Sequence, residues 1–172
     1  EEGKKYGYPT LYRSSYDMDL DELEKRVNEG GFLGLKPYLS YCPSYIPSKE
    51  VRIFDFLPEE QLKLADKNGW IIMLHIGRDG RLKDPVNLGQ LMEIEKKYPN
   101  VKLIVAHIGR AYTKEDIGNA CDILKNTKNM MFDFTANTYD YAMIKCLETV
   151  GPKRFMFGSD LPILKMRMFR TF

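Results

Sequence analysis

The sequence predicts an α/β fold in which parallel strands alternate with helices and close as a (β/α)8 barrel. Three observations predict it. Helical stripes and short apolar runs alternate along most of the chain. Three of the runs are near-continuously apolar, the pattern of strands buried on both faces of a parallel sheet. Strand starts near residues 70, 102, 130 and 154 recur at about the 30-residue period of a βα unit. An open doubly wound sheet uses the same units, but it wants a glycine-rich phosphate turn after its first strand. Gly77 and Gly80 are not followed by that pattern. A barrel wants polar side chains at the carboxyl ends of several strands, and the chain has them.

Each element has a local reason. Residues 1–18 are polar and tyrosine-rich and read as loop or frayed segment. Asp19 and Glu22 resemble a capping box; Leu20, Leu23 and Val27 follow at helical spacing, and Gly30-Gly31 end the helix. Phe32 to Leu39 is a short apolar stretch around Lys36, and residues 40–56 read as a long loop. A helix runs from Pro58 through Lys67 and Gly69 closes it. Trp70 to Leu74 is a strand, and Asp84-Pro85 then cap a helix to about Tyr98. Lys102 to Ala106 is a strand. Thr113 and Asp116 cap one helix carrying Ile117, Ala120, Cys121 and Leu124 on a single face. Met130 to Thr135 is a strand, Met143, Cys146, Leu147 and Val150 mark a helix stopped by Gly151-Pro152, and Arg154 to Phe157 is the last strand.

Composition narrows the function. The 172 residues form one domain, 44% hydrophobic and 29% charged, with a net charge of +2. That balance gives no electrostatic case for nucleic acid or an anionic membrane. The apolar runs fall far short of the roughly 20 residues that span a bilayer. Three scattered cysteines form no disulfide framework, so a reducing, cytoplasmic setting is expected. The chain starts at Glu1, and natural sequence is expected to be missing at one or both ends. Met166, Met168, Phe169 and Phe172 read as a segment that packs against such sequence. A small-molecule substrate is the expected partner, and a homo-oligomer is left open.

The chemistry concentrates at strand ends. The only two histidines, His75 and His107, each directly follow a predicted strand and each open the tetrapeptide His-Ile-Gly-Arg, as His75-Ile76-Gly77-Arg78 and His107-Ile108-Gly109-Arg110. The last strand ends in Gly158-Ser159-Asp160. In a parallel sheet these ends share one face, and a barrel makes them converge. Imidazole nitrogen and carboxylate oxygen suit zinc, manganese or iron, with zinc preferred. A lone strand-end histidine is more often a hydrogen-bonded core residue; both histidines at equivalent ends, joined by Asp160, favour a shared site. Arg78 and Arg110 are candidates to bind a substrate carboxylate, or to form structural ion pairs. Tyr38, Tyr41, Cys42 and Tyr45 lie on one loop, and Asn137 lies just past a strand as a pocket candidate.

These residues carry a resemblance. The two strand-His-Ile-Gly units, Pro99-Asn100-Val101-Lys102-Leu103, and Phe155-Met156-Phe157-Gly158-Ser159-Asp160-Leu161-Pro162 resemble the amidohydrolase superfamily. The branch is the one holding aminocarboxymuconate-semialdehyde decarboxylase-like enzymes and many metal-dependent hydrolases. Gly34-Leu35-Lys36-Pro37 is similar to that branch's fourth strand, and the likeness runs from about residue 19 to 163. It implies that the five strands are strands four to eight of the barrel. It implies one divalent metal ion, with His75 and Asp160 as ligands and His107 orienting or deprotonating water. Asp160 is implied as proton acceptor too. Lys36 and Tyr38 are implied at the substrate pocket, where some relatives carry a carboxylated, metal-bridging lysine in place of Lys36. The family's His-x-His on strand one has no counterpart here, so the intact protein is expected to be larger, or another part to complete the barrel. The implied activity is hydrolysis: the ion lowers the pKa of water from ~15.7 towards ~7 for attack on an amide, ester or lactone carbonyl. Non-oxidative decarboxylation on the same ion is the first alternative. An inactive partial barrel with a binding or structural role is the second.

Overall fold

The structure of the protein is a computed structural model that describes residues 5–137, 139–161 and 165. Five parallel strands form one sheet in the order β1 (Gly34–Leu35), β2 (Ile71–Leu74), β3 (Lys102–Val105), β4 (Met131–Asp133) and β5 (Phe155–Met156). Each strand pairs with the next in sequence. A doubly wound sheet reverses strand order at its switch point, whereas a barrel never does. The sheet is therefore a five-stranded arc of a (β/α)8 barrel.

The long helices lie where the sequence places them. Helix α1 (Leu20–Gly30) starts on Asp19, whose carboxylate accepts the Glu22 N–H at 2.9 Å. The short α2 (Ile53–Phe56) interrupts a stretch expected as loop, because Arg52 and Asp55 cap one another and bury Ile53 and Phe56. Helix α3 (Glu59–Asn68) follows Pro58, and α4 (Pro85–Lys97) follows Asp84, whose carboxylate accepts two backbone N–H groups. The single helix expected after Thr113 is two, α5 (Lys114–Ile117) and α6 (Ala120–Leu124). Gly118, at φ 50° and ψ −128°, breaks it while both halves keep their apolar residues buried. Helix α7 (Asp140–Val150) precedes β5. The segment ahead of α1 is not wholly free of pairing: Tyr12 bridges Leu35 in parallel and accepts the Lys36 N–H at 2.7 Å. The expected apolar tail, Met166, Met168, Phe169 and Phe172, lies outside the described residues.

Register sorts the strand residues onto two faces. Leu35 pairs with Ile72, Ile72 with Leu103, Leu74 with Val105, and Val105 with Phe132. This row meets the helices, and each member is at most 2% exposed. Each such side chain contributes roughly 1.5–3 kcal/mol by leaving water. The alternate row holds Ile71, Met73, Ile104 and Met131 on the inner face. Ile71, Met73 and Met131 are only half-buried, and Ile71, Ile104, Met131 and Met156 line a cleft there. The continuous apolar runs thus reflect two apolar faces, one covered by helices and one turned to the barrel axis.

Candidate metal and proton-transfer site

The inner row leads to the site. Ile71, Met73 and, two residues on, His75 share the inward phase of β2. Extended from the same register, Tyr38 falls beside His75, and the two rings stack with centroids 6.0 Å apart. On β4, Met131 and Asp133 are inward, and Asp133 pairs with Met156 of β5.

His107 is out of phase. Lys102 and Ile104 face inward, so residue 107 of a continued strand would point at the helices. The chain instead turns left-handed at that residue, with φ 56° at His107 and 48°, 59° and 59° at the next three positions. This brings the imidazole back to the inner face. His107 Nε2 then lies 3.0 Å from His75 Nε2. Two imidazoles from different strand ends meet nitrogen to nitrogen.

The His107 ring is held on its other side. Nδ1 lies 2.7 Å from the Thr135 carbonyl oxygen and 2.7 Å from Thr135 Oγ1. The Asp133 carboxylate, 2% exposed, accepts the His107 N–H at 2.8 Å, the Thr135 N–H at 3.0 Å and the Thr135 hydroxyl, all on Oδ1. Asp133 Oδ2 and His75 Nδ1 are buried without a hydrogen-bond partner among the described residues.

Electrostatics keep His75 neutral. Its pKa is pushed down to about 4, first by burial, then by the neighbouring His107 and the Lys36 ammonium. The carboxylates of Asp160 and Asp133 oppose the shift. At neutral pH the ring therefore offers a lone pair. Lys36 reaches towards this end of the sheet, its Nζ 5.6 Å from the centre of the Tyr38 ring.

The sequence-predicted residues divide into two groups. His75, His107, Tyr38 and Lys36 come together, and the half-buried Asp160, at φ 53°, is close enough for its charge to act on His75. Arg78 and Asn137 face other work. Arg78 donates from Nε to Asp84 at 2.9 Å and from Nη1 to the Glu50 carbonyl at 3.2 Å. Asn137 donates to the Ala111 carbonyl and accepts the Tyr139 N–H, each at 2.9 Å. Arg110 is half-buried at the end of the left-handed turn. Sequence reasoning passed over Asp133 and Thr135. The available signal was a carboxylate inside an otherwise apolar strand, where an unpaired charge is costly.

The donors fit a divalent cation as a pair. The two Nε2 atoms converge, and His107 shows the usual support of an imidazole ligand, its far nitrogen on a backbone carbonyl. Among the described residues, no three His, Cys, Asp or Glu side chains surround one point closely enough to hold an ion. Nor, among them, is any helix long and apolar enough to cross a membrane.

Similar folds occur in solved structures. A 2,6-dihydroxybenzoate decarboxylase from Rhizobium superposes with a TM-score of 0.61 at 17% identity, covering 94% of this chain and 63% of that one. A zinc-bound amidohydrolase from Burkholderia multivorans gives 0.60 at 16%, covering 90% and 64%. A 4-oxalomesaconate hydratase from Rhodopseudomonas palustris gives 0.59 at 19%, covering 94% and 55%. At such identities the likeness is one of fold, and the chain spans less than two thirds of each of these proteins. No curated protein sequence matches the chain. The sequence profile of the amidohydrolase family, however, matches residues 17–170, nearly the whole chain, and with strand order, register and strand-end histidines in agreement, the chain belongs to the amidohydrolase family.

Proposed function

We propose that the chain carries part of the active site of a metal-dependent hydrolase acting on an amide, ester or lactone of a small, anionic substrate. The observation that carries this reading is the 3.0 Å approach of His75 Nε2 to His107 Nε2 at adjacent carboxyl strand ends. His75 and Asp160 would hold the ion, with His107 beside them as ligand or proton acceptor. Zinc is preferred, with manganese or iron as substitutes; the Burkholderia relative holds zinc, and a dihydroxybenzoic acid decarboxylase from Polaromonas holds manganese. Such an ion supplies Lewis acidity, polarising a carbonyl and making water acidic enough to attack it near neutral pH.

The chain's own groups do the rest. Either His107 at Nε2 or Asp160 at a carboxylate oxygen takes the proton from water and returns it to the leaving group. On His107 the charge spreads onto Nδ1, which faces Thr135 and lies 3.9 Å from Asp133 Oδ1. Lys36 and Arg110 supply positive charge to an anionic substrate, and Tyr38 packs a wall against His75. Arg78 and Asn137 act through the loops they tie.

Non-oxidative decarboxylation is the second reading, since the dihydroxybenzoate and 5-carboxyvanillate decarboxylases share the fold. Here the same donors would hold an ion that binds the carboxylate of the substrate, and a protonated His107 or Asp160 delivers the proton to carbon.

The test uses the full-length protein. Zinc content and affinity are measured for wild type, His75→Ala and His107→Ala, and turnover for Asp160→Asn. The expected results are retained zinc in the wild type, weaker zinc in both histidine variants, and a folded but inactive Asp160→Asn. Unchanged zinc affinity in both histidine variants, or an active Asp160→Asn, removes the proposal. A panel of esters, lactones and aromatic carboxylates, scored for acid or carbon dioxide release, separates the two readings.

A further inference from the structure

We infer that Asp133 is a positioning residue that sets the tautomer of His107 by capturing the hydrogen of the Thr135 hydroxyl. A threonine hydroxyl has one hydrogen and can donate once. In the structure that hydrogen goes to Asp133 Oδ1, which also takes the Thr135 and His107 backbone N–H groups. Thr135 Oγ1 therefore shows only lone pairs to His107 Nδ1, 2.7 Å away. The Thr135 carbonyl oxygen, also at 2.7 Å, is an acceptor by nature. Both neighbours of Nδ1 accept, so Nδ1 carries the proton and the lone pair sits on Nε2, facing His75.

Without the Asp133 acceptor the hydroxyl is released. It can then rotate and donate to Nδ1, which moves the imidazole proton to Nε2 and removes the lone pair from the site. The carboxylate is placed for this task by register: Asp133 is inward on β4, one strand over from the left-handed turn that starts at His107. At 2% exposure the carboxylate is shielded from solvent, which strengthens its hold on the hydroxyl. Outer partners of this kind cost about 10–100-fold in metal affinity or activity when lost.

The tautomer follows from the hydrogen bonds alone. Only its use in catalysis rests on the reading of His107 as ligand or proton acceptor, so the deciding measurement is made without substrate or metal. Long-range 1H–15N correlation spectra of the histidine rings are recorded at pH 8 on chelator-treated full-length protein, with His107→Gln assigning the signals. The wild type is expected to show a protonated Nδ1 and an unprotonated Nε2 at His107. Asp133→Ala exchanges the two signal types. Asp133→Asn, which keeps an oxygen acceptor, retains the wild-type pattern. In the double variant Asp133→Ala with Thr135→Val the hydroxyl is gone and only the carbonyl faces Nδ1, so the wild-type pattern returns. A merely structural role for Asp133 predicts no such restoration. A wild-type His107 protonated at Nε2 overturns the inference even if Asp133→Ala does not fold. So does a folded Asp133→Ala that keeps the wild-type pattern, or a double variant that fails to restore it. None of these results depends on turnover, so an inactive protein with the expected spectra would count against the proposed function and not against this assignment.

Discussion

Acidification should cost this fold stability in a window that belongs to His75. An exposed histidine protonates near 6.5, and in the folded protein burial, His107 and Lys36 push that midpoint down to about 4. Between the two values the unfolded chain binds the proton and the folded chain does not, so stability falls as pH falls. Above pH 6.5 both states are neutral and the contribution is intact; below about 4 both are protonated and this group costs nothing more. At about 1.4 kcal/mol per pH unit the full loss is roughly 3 kcal/mol. The carboxylates of Asp55 and Asp116 lie elsewhere on the pH axis. Burial raises each, but hydrogen bonds from Arg52 and Arg81 outweigh it and hold both below the ordinary 3.8. Their stabilisation is present above 3.8 and is lost only on further acidification. Urea unfolding of metal-free protein at half-unit steps from pH 8 to 4 measures the window. His75→Gln, which keeps a polar side chain of similar length and does not titrate, should flatten the profile between 6.5 and 4. Equal pH profiles for wild type and His75→Gln would refute the assignment of buried, neutral His75.

Three further outcomes are expected. In Gly109→Ala the new Cβ would stand 2.5 Å from Leu82 Cδ1 and 3.0 Å from Ile76 Cδ1 at φ 59°, so the urea midpoint should drop by an equivalent of roughly 1–3 kcal/mol. Arg81 meets Asp116 at 2.6 Å; Arg81→Met leaves that carboxylate with only its two backbone N–H donors and should cost about 1 kcal/mol, and adding Asp116→Asn should cost less than the sum of the single changes. Of the three thiols, the half-buried Cys42 should react first with an aromatic disulfide reagent. Cys121 and Cys146 touch one another; that contact, together with burial, pushes the Cys146 thiol up, and both stay unreactive until the reduced protein unfolds.

The architecture was legible because its determinants are local and periodic. Asp19, Asp84 and Thr113 announce helix starts by side chains that cap the first turn of each helix, and the structure uses all three. The apolar runs at 70–74 and 102–106 announce β2 and β3 because both faces of those strands are apolar. What the sequence hid depends on chain segments far apart. The Gly118 break was hidden because Ile117, Ala120, Cys121 and Leu124 remain on one buried side whether or not the helix is continuous. Arg78 reads equally as a carboxylate-binding cation or an ion-pair former until Asp84 is placed 2.9 Å from it. Asp133 was invisible as a partner of His107 because 26 residues separate them, and only the β3–β4 register brings them together.

The repeated tetrapeptide shows how strongly that register acts. His-Ile-Gly-Arg follows β2 and β3 alike, yet the two copies fold differently. In the first, only Arg78 has positive φ, at 54°. In the second, all four residues do, three of them not glycine and one of them, Ile108, β-branched. Left-handed backbone costs roughly 1–2 kcal/mol per non-glycine residue, so sequence alone would never choose it. The glycines also serve different ends. A Cβ at Gly77 would lie 2.3 Å from the Val51 carbonyl oxygen, whereas one at Gly109 would strike side chains of Leu82 and Ile76. The difference between the copies is what stands beside them. The first histidine continues the inward phase of its strand and needs no turn. The second is one residue out of phase, and its N–H is met by the buried carboxylate of Asp133, while Ile108 is driven fully out of water. Those two interactions offset the backbone cost and aim the imidazole at His75. Strain at this one turn is thus the means by which the second histidine, out of phase with its strand, comes to face the first.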